Sequence, residues 1–214
     1  AQAAEALRSG EPCVLLLNGA ALYAGPLASA GRICASTGAR MFSDTFVPRL
    51  ERGVGIVPID PLPYFGEQAE AVLEGTRHLI LVGTRPPVTF FAYPGKPSSL
   101  VPEGCTVHSL AGPEGDLPAA LEALADALGV TGEAPLAEAH RPAIPTSGAL
   151  DPASIGALVG HYMPENAIVV NEAATGGFGL PPATAGCPPH DWLALTGGAI
   201  GQGRLAAVCR VDQA

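Results

Sequence analysis

Two five-residue runs constrain this chain more than anything else in it: Cys13–Leu17, CVLLL, and His78–Val82, HLILV. Neither alternates apolar with polar side chains. A strand with one wet face shows a period of two, whereas an uninterrupted apolar strand is buried on both faces, the condition met in a parallel sheet covered by helices on each side. The first run ends in Asn18-Gly19 and the second is followed by the Pro86-Pro87 break, so each is punctuated as a strand.

Helical stretches alternate with these strands. Residues 3–9 are good helix formers closed by Gly10, a residue suited to the left-handed conformation that ends a helix. Residues 20–36 form a small-residue helical stretch with Gly and Pro interruptions, and residues 64–73 form a helix ended by Gly75. In Leu117–Leu128, Asp116 is the cap, Pro118 sits in the tolerated first turn and Gly129 closes the end. Arg40–Ser43 and residues 105–109 read as further strands, residues 88–91 as a third apolar segment, and Gly53, Gly55, Pro58, Pro61 and Pro63 as a loop. Strands separated by helices of this length imply βαβ units, hence an α/β, Rossmann-like domain with a parallel sheet flanked by helices over residues 1–130.

Residues 131–150 change to Gly, Pro, Ala and Glu with no apolar period, which is the composition of a linker. Beyond it Asp151-Pro152 opens a helix reaching His161 or Tyr162, Ala167–Asn171 reads as a strand, and a Gly/Pro/Thr loop leads to a short segment at 192–195. Residues 151–214 therefore read as the truncated start of a second α/β domain.

Composition removes several classes of function. Eleven Lys and Arg against 20 Asp and Glu give a net charge of −9, which argues against a nucleic-acid partner. Charged residues make up only 14% of the chain and hydrophobic ones 48%, so disorder is excluded and part of the surface is expected to be covered by a partner subunit or by further chain. The apolar stretch 13–31 is broken by Asn18-Gly19 and Gly25-Pro26, which would strand backbone groups in lipid, and no membrane span is expected. Five dispersed cysteines, without a C-x-x-C pair, read as buried thiols of a reducing cytoplasm.

Motifs of chemistry are few. Gly197, Gly198, Gly201 and Gly203 form the densest glycine cluster, for which a cofactor loop and a structural turn both fit. It is not a Rossmann fingerprint, because Ala206 stands where the third glycine would fall, and no Walker-type motif is present. Glu172 follows a strand and is expected to be a solvated carboxylate; Cys187 and His190 make a C-x-x-H pair without a second pair nearby, so no metal site is expected. No catalytic residue is assigned.

Four blocks in order, NGAALYAGPLASAGRICASTGAR, FFAYPGKPSSLVPEGC, IVVNEAATGGFGLPP and DWLALTGGAIGQG, resemble thiamine diphosphate-dependent enzymes of the acetolactate synthase and benzoylformate decarboxylase group. The resemblance runs from about Ala1 to Gly203. It implies that the first domain is the central domain of such an enzyme and the second the opening of its diphosphate-binding domain, with less than half of a family member present. It further implies that Gly198 offers its backbone to the cofactor's aminopyrimidine, that Ile200 is the apolar wedge under the bent cofactor, and that Ala174 and Thr175 lie on the diphosphate. Family members often carry hydroxyl side chains at both of the latter positions, and Ala174 departs from that pattern.

The resemblance implies thiamine diphosphate and Mg²⁺ in the full-length parent, a 2-oxo acid substrate and a homo-oligomer. The glutamate that protonates the pyrimidine and the Gly-Asp-Gly to Asn segment that holds Mg²⁺ have no counterpart here. The tail RLAAVCRVDQA replaces the family's usual continuation, as a truncation or a shifted reading frame would. The chain is accordingly expected to be inactive alone and to bind no cofactor tightly. Central domains of this group hold FAD, an adenine nucleotide or nothing; an empty, structural domain is favoured, and a stand-alone FAD or adenine-nucleotide module with an interaction role is the alternative.

Overall fold

The computed structural model describes residues 1–95, 98–173 and 176–195. Its elements in chain order are α1 (Gln2–Arg8), β1 (Cys13–Leu17), a 3₁₀ turn (Gly19–Leu22), α2 (Ala24–Thr37), β2 (Arg40–Ser43), β3 (Leu50–Arg52), β4 (Asp60–Pro61) and α3 (Gly66–Leu73). Then come β5 (His78–Val82), β6 (Thr106–Ala111), α4 (Leu117–Leu128), α5 (Pro152–Tyr162), β7 (Ala167–Asn171), α6 (Leu180–Thr184) and β8 (His190–Ala194). They fall into two compact units, Ala1–Thr45 with Ile59–Pro135, and Phe46–Pro58 with the chain from Leu136 onward.

The first unit is a five-stranded, all-parallel sheet in the order β4-β2-β1-β5-β6. β1 lies at its centre, paired in register with β2 (Leu15 opposite Met41) and β5 (Leu15 opposite Ile80). Every residue of CVLLL is buried, as an apolar run sealed on both faces must be. Alternation along the strand sends Val14 and Leu16 to one face, into a cluster with Leu62, Ala69, Leu73, Leu79 and Leu81. Leu15 and Leu17 go to the opposite face, and both are wholly buried.

Helix ends follow local chemistry. The Asp116 side chain accepts a hydrogen bond from the Ala119 N–H at 3.0 Å, and Gly129 ends α4 at φ +70°. The interrupted stretch at 20–36 divides as its sequence requires, a 3₁₀ turn followed by α2, with Pro26 in the first helical turn where no N–H is needed. Residues 88–91 correct the sequence reading. They form no strand but a single bridge between Val88 and Ser99, and Val88, Phe90 and Phe91 are exposed. The Pro86-Pro87 pair removes two backbone donors just before them, and the rings of Tyr64, Phe90 and Phe91 pack edge-on and tilted against one another instead of entering the core.

The second unit has a three-stranded sheet, β3-β8-β7, in which β8 runs parallel to β7 and antiparallel to β3. Gly53, Gly55 and Pro58, read from the sequence as part of a loop of the first domain, belong to the segment Phe46–Pro58, which supplies β3 here. Val47, Leu50 and Val57 are buried, and the Gly53 backbone, at φ +115°, passes so close that a Cβ would lie 2.7 Å from the Pro188 carbonyl oxygen. Part of the stretch read as linker is held by backbone hydrogen bonds, Ala137 N–H to Ile56 O at 3.0 Å and His140 N–H to Gly186 O at 2.8 Å. Helix α5 begins in a capping box: the Asp151 carboxylate accepts from Ser154 N–H at 2.7 Å and the Ser154 hydroxyl accepts from Asp151 N–H at 2.9 Å. Gly156 and Gly160 let it pack closely on α6, with room for no Cβ at Gly160 against the Ala183 carbonyl at 2.7 Å.

Candidate functional site

In the first unit the chain leaves β1 toward β2 on one side and later returns to β5 on the other, so the strand order reverses between β1 and β5. Open α/β sheets bind ligands in the crevice outside the carboxyl ends of the strands at such a reversal. Three side chains meet there. Asn18 follows β1, Asp44 follows β2 and Thr84 follows Gly83 at the end of β5. One carboxylate oxygen of Asp44, Oδ2, accepts from Asn18 Nδ2 at 2.6 Å and from Thr84 Oγ1 at 2.5 Å. The other side-chain atom of Asn18, Oδ1, accepts from Gly19 N–H at 2.6 Å, which fixes its amide orientation.

Partial burial pushes the Asp44 carboxyl above the usual carboxylate range, and the hydrogen bonds from Thr84 and Asn18 draw it part of the way back. Gly83 makes the close approach possible. At φ +73°, a Cβ there would stand 2.6 Å from the Asn18 carbonyl oxygen and 2.5 Å from Leu117 Cδ1. The arrangement offers a carboxylate oxygen, hydroxyl and amide groups, and the exposed Arg85 just beyond, a set that can hold hydroxyl groups and an anion.

In the second unit the corresponding position is the carboxyl end of β7. Asn171 Oδ1 accepts from Ala173 N–H at 3.2 Å, shaping the turn out of the strand. Glu172 is not the solvated carboxylate expected of it: the residue is half-buried, and its Oε1 is inaccessible and without a hydrogen-bond partner among the described residues. An orphaned buried acceptor is costly and fits a group that brings an N–H or a positive charge.

On β8, His190 is buried, with Nδ1–H donating to the Pro188 carbonyl at 2.8 Å and Nε2 buried without a hydrogen-bond partner among the described residues. Burial lowers its pKa, opposed by that hydrogen bond and aided by Arg52. Arg52 lies over the Trp192 ring at 4.9 Å and donates to the Pro181 carbonyl at 2.7 Å; Arg49 pairs with Asp191 at 2.7 Å. Cys187 is buried, its thiol against the Gly160 carbonyl, and no metal-binding group of three or more ligands exists among the described residues.

Ala174, Thr175, Gly198 and Ile200, the four cofactor contacts implied by resemblance, lie outside the described residues. Asp44 is the residue that sequence reasoning missed. Its signal was available, since it is the acidic residue immediately after the second strand, where Rossmann-like folds place a ribose acceptor.

No protein-family model matches the chain. The acetolactate synthase large subunit-like protein IlvX of Mycobacterium tuberculosis (strain ATCC 25618 / H37Rv) is 54% identical over 202 residues, covering 94% of this chain and 39% of the relative. The solved thiamine diphosphate-dependent 4-hydroxybenzoylformate decarboxylase of Rhodococcus jostii RHA1 superposes with a TM-score of 0.65 at 20% identity, over 97% of this chain and 43% of its own. A protein from Mycobacterium smegmatis classed with the thiamin diphosphate-dependent enzymes gives a TM-score of 0.64 at 20% identity with the same coverage. The chain thus spans about two fifths of the length of each relative. By sequence the chain is similar to the IlvX protein over nearly all of its own length, and it carries the fold of a stretch of the two solved proteins.

Proposed function

We propose that this chain is part of a cytoplasmic, homo-oligomeric thiamine diphosphate-dependent 2-oxo acid carboligase or decarboxylase, and that it is inactive by itself. The observation that carries the reading is the 54% identity sustained over 94% of the chain. In this reading residues 1–130 form the central domain, together with the excursion Phe46–Pro58 into the second unit, residues 131–150 connect, and residues 151–214 open the diphosphate-binding domain.

The cofactor, when bound with Mg²⁺, supplies the electron sink for the bond beside the substrate's carbonyl. The chain's own contribution is positional. Gly198 and Ile200 would orient the pyrimidine and hold the bend, Thr175 with the Ala174 backbone would face the diphosphate, and the orphaned Glu172 oxygen would meet a donor or cationic part of the group.

The test replaces the matching stretch of the M. tuberculosis relative with these residues and measures thiamine diphosphate binding by fluorescence quenching. Binding equal to the relative's, weakened by Ile200→Gly, supports the reading; a folded chimaera that binds none while the relative does overturns it. Pyruvate or benzoylformate turnover by the 214-residue chain with cofactor and Mg²⁺ would overturn the inactivity of the part.

A second reading has its own observation. Asp44, joined by Asn18 and Thr84 at the strand reversal, stands where a ribose diol is received, which favours an adenine-nucleotide or FAD module. Saturable binding of ADP or FAD in calorimetry, lost in Asp44→Ala, supports it; no heat with either ligand leaves the crevice as a structural polar bridge.

A further inference from the structure

The opposite edge of the first sheet carries a cluster that neither reading uses. His78 opens β5 and His108 lies in β6, two residue-pairs further along the ladder and so on the same face, since His78 pairs with Thr106, Leu79 with Val107 and Ile80 with His108. Glu11 reaches the pair from the loop before β1. Its Oε2 is 2.9 Å from His78 Nε2, and His78 Nδ1 is 3.1 Å from His108 Nε2. The three side chains form one continuous hydrogen-bonded line across three segments.

The strand they join is weakly held. β6 is the sheet's edge, paired only with β5 among the described residues, and none of its six residues is buried: Thr106, Val107 and Ser109 are exposed and the others half-buried. Edge strands with few buried contacts open first in local unfolding.

Proton counting shows what the line tolerates. With both imidazoles neutral, His78 Nε2–H donates to the Glu11 carboxylate and His78 Nδ1 accepts from His108 Nε2–H. One added proton makes His78 a double donor, to Glu11 and to His108, and every bond survives beside a compensating negative charge. A second proton leaves two N–H groups pointing at each other across 3.1 Å, both on cations. We propose that Glu11, His78 and His108 form a proton-operated latch that holds edge strand β6 on the sheet, closed with at most one added proton and open with two.

The surrounding charges do not offset the second proton. Arg77 stands 3.9 Å from the other Glu11 oxygen, and Cys13 is the ionisable neighbour on β1. From α1 and α4, which pack on β6, the charged side chains are Glu5, Arg8, Glu122 and Asp126; Arg8 is held by the Ala127 carbonyl and Glu122 by Ser29 and Arg32. Desolvation and then the charge of His78 depress the pKa of His108. Below the ordinary histidine value of about 6.5 the unfolded chain therefore takes up a proton that the closed pair refuses, so the latch stabilises above that pH and weakens as pH falls.

The test uses the full chain. Nitrogen-15 shifts of the imidazoles are followed through a pH titration, and amide-exchange protection of Thr106–Ala111 is compared with that of Cys13–Leu17 at about pH 7.5 and 5.5. His108 is expected to take up its proton below the ordinary histidine value, with β6 protection falling about threefold to tenfold relative to β1 after correction for intrinsic exchange, the equilibrium counterpart of one net hydrogen bond. His108→Gln keeps an N–H for His78 but cannot take a proton, so its β6 protection should hold at both pH values. A His108 midpoint at the ordinary histidine value in the wild-type chain, β6 protection that tracks β1, or a His108→Gln variant that keeps the fall would each overturn the proposal.

Discussion

Gly83→Ala probes the close approach that forms the strand-reversal crevice, and its cost can be worked from two contributions. Gly83 has φ +73°, and placing a β-carbon in that left-handed conformation costs about 1–2 kcal/mol. The new Cβ would also stand 2.6 Å from the Asn18 carbonyl oxygen and 2.5 Å from Leu117 Cδ1. Leu117 can swing away. The Asn18 backbone cannot, because its N–H is bonded to Val82 O at 3.0 Å, while Gly83 N–H is tied to Ala111 O at 2.9 Å. Overpacking against fixed atoms adds about 1–3 kcal/mol, giving about 2–5 kcal/mol in all. Gly75 is the internal control: its φ is +76° and nothing lies within 4 Å of its added Cβ, so Gly75→Ala should cost only the conformational part, about 1–2 kcal/mol. Urea unfolding followed by far-ultraviolet circular dichroism measures both. Equal losses in the two variants would refute the argument, since the difference between them is the close approach alone.

The fold was legible where burial wrote itself into consecutive residues and illegible where it depended on distant chain. CVLLL and the LILV of HLILV point to a parallel sheet because an unbroken apolar strand must be kept dry on both faces. Asp116, Asp151, Pro152 and Gly129 mark helix ends because capping is a contact of three or four residues. β3 could not be read in this way. Its three residues, LER, contain one buried side chain, and what makes them a strand is pairing with β8, some 140 residues later in the chain. Residues 88–91 erred in the opposite direction: VTFF is strand-like in composition, but the residues before it deny it donors. At the candidate site, the glycine-rich segments drew attention because glycine is conspicuous. Asp44 carries a signal in the sequence, an acid directly after the second strand, but its partners Asn18 and Thr84 lie 26 and 40 residues away and only the sheet order brings them within hydrogen-bonding distance of it.

Leu16→Ala removes a wholly buried side chain from the centre of the parallel sheet and should cost about 2–5 kcal/mol in urea unfolding, whereas Val107→Ala, on an exposed strand position, should cost well under half of that. His190 is buried with its Nδ1–H committed to a carbonyl and its pKa lowered, so the unfolded chain binds its proton first. The second unit should therefore lose stability as pH falls below about 6.5, seen as a lower urea midpoint by Trp192 fluorescence; a midpoint independent of pH through that range would contradict the assignment. Asp44→Asn tests whether the crevice acid is kept for stability or for binding. Its raised folded pKa means that protonation favours the fold: the contribution is fully present below the unfolded carboxyl value and lost as pH rises through the folded one, so at neutral pH the ionised acid is a liability. Asparagine retains an oxygen to accept from Asn18 and Thr84 without the desolvated charge. The variant should thus match or exceed the wild-type urea midpoint at neutral pH and lose that advantage in acid. A residue that weakens its own unit and still occupies the ribose position is one held by a ligand, in which case the same variant loses ADP or FAD binding in calorimetry. A variant less stable than wild type at neutral pH would show instead that the charge-assisted bonds to Asn18 and Thr84 outweigh desolvation, and that Asp44 is a brace of the sheet.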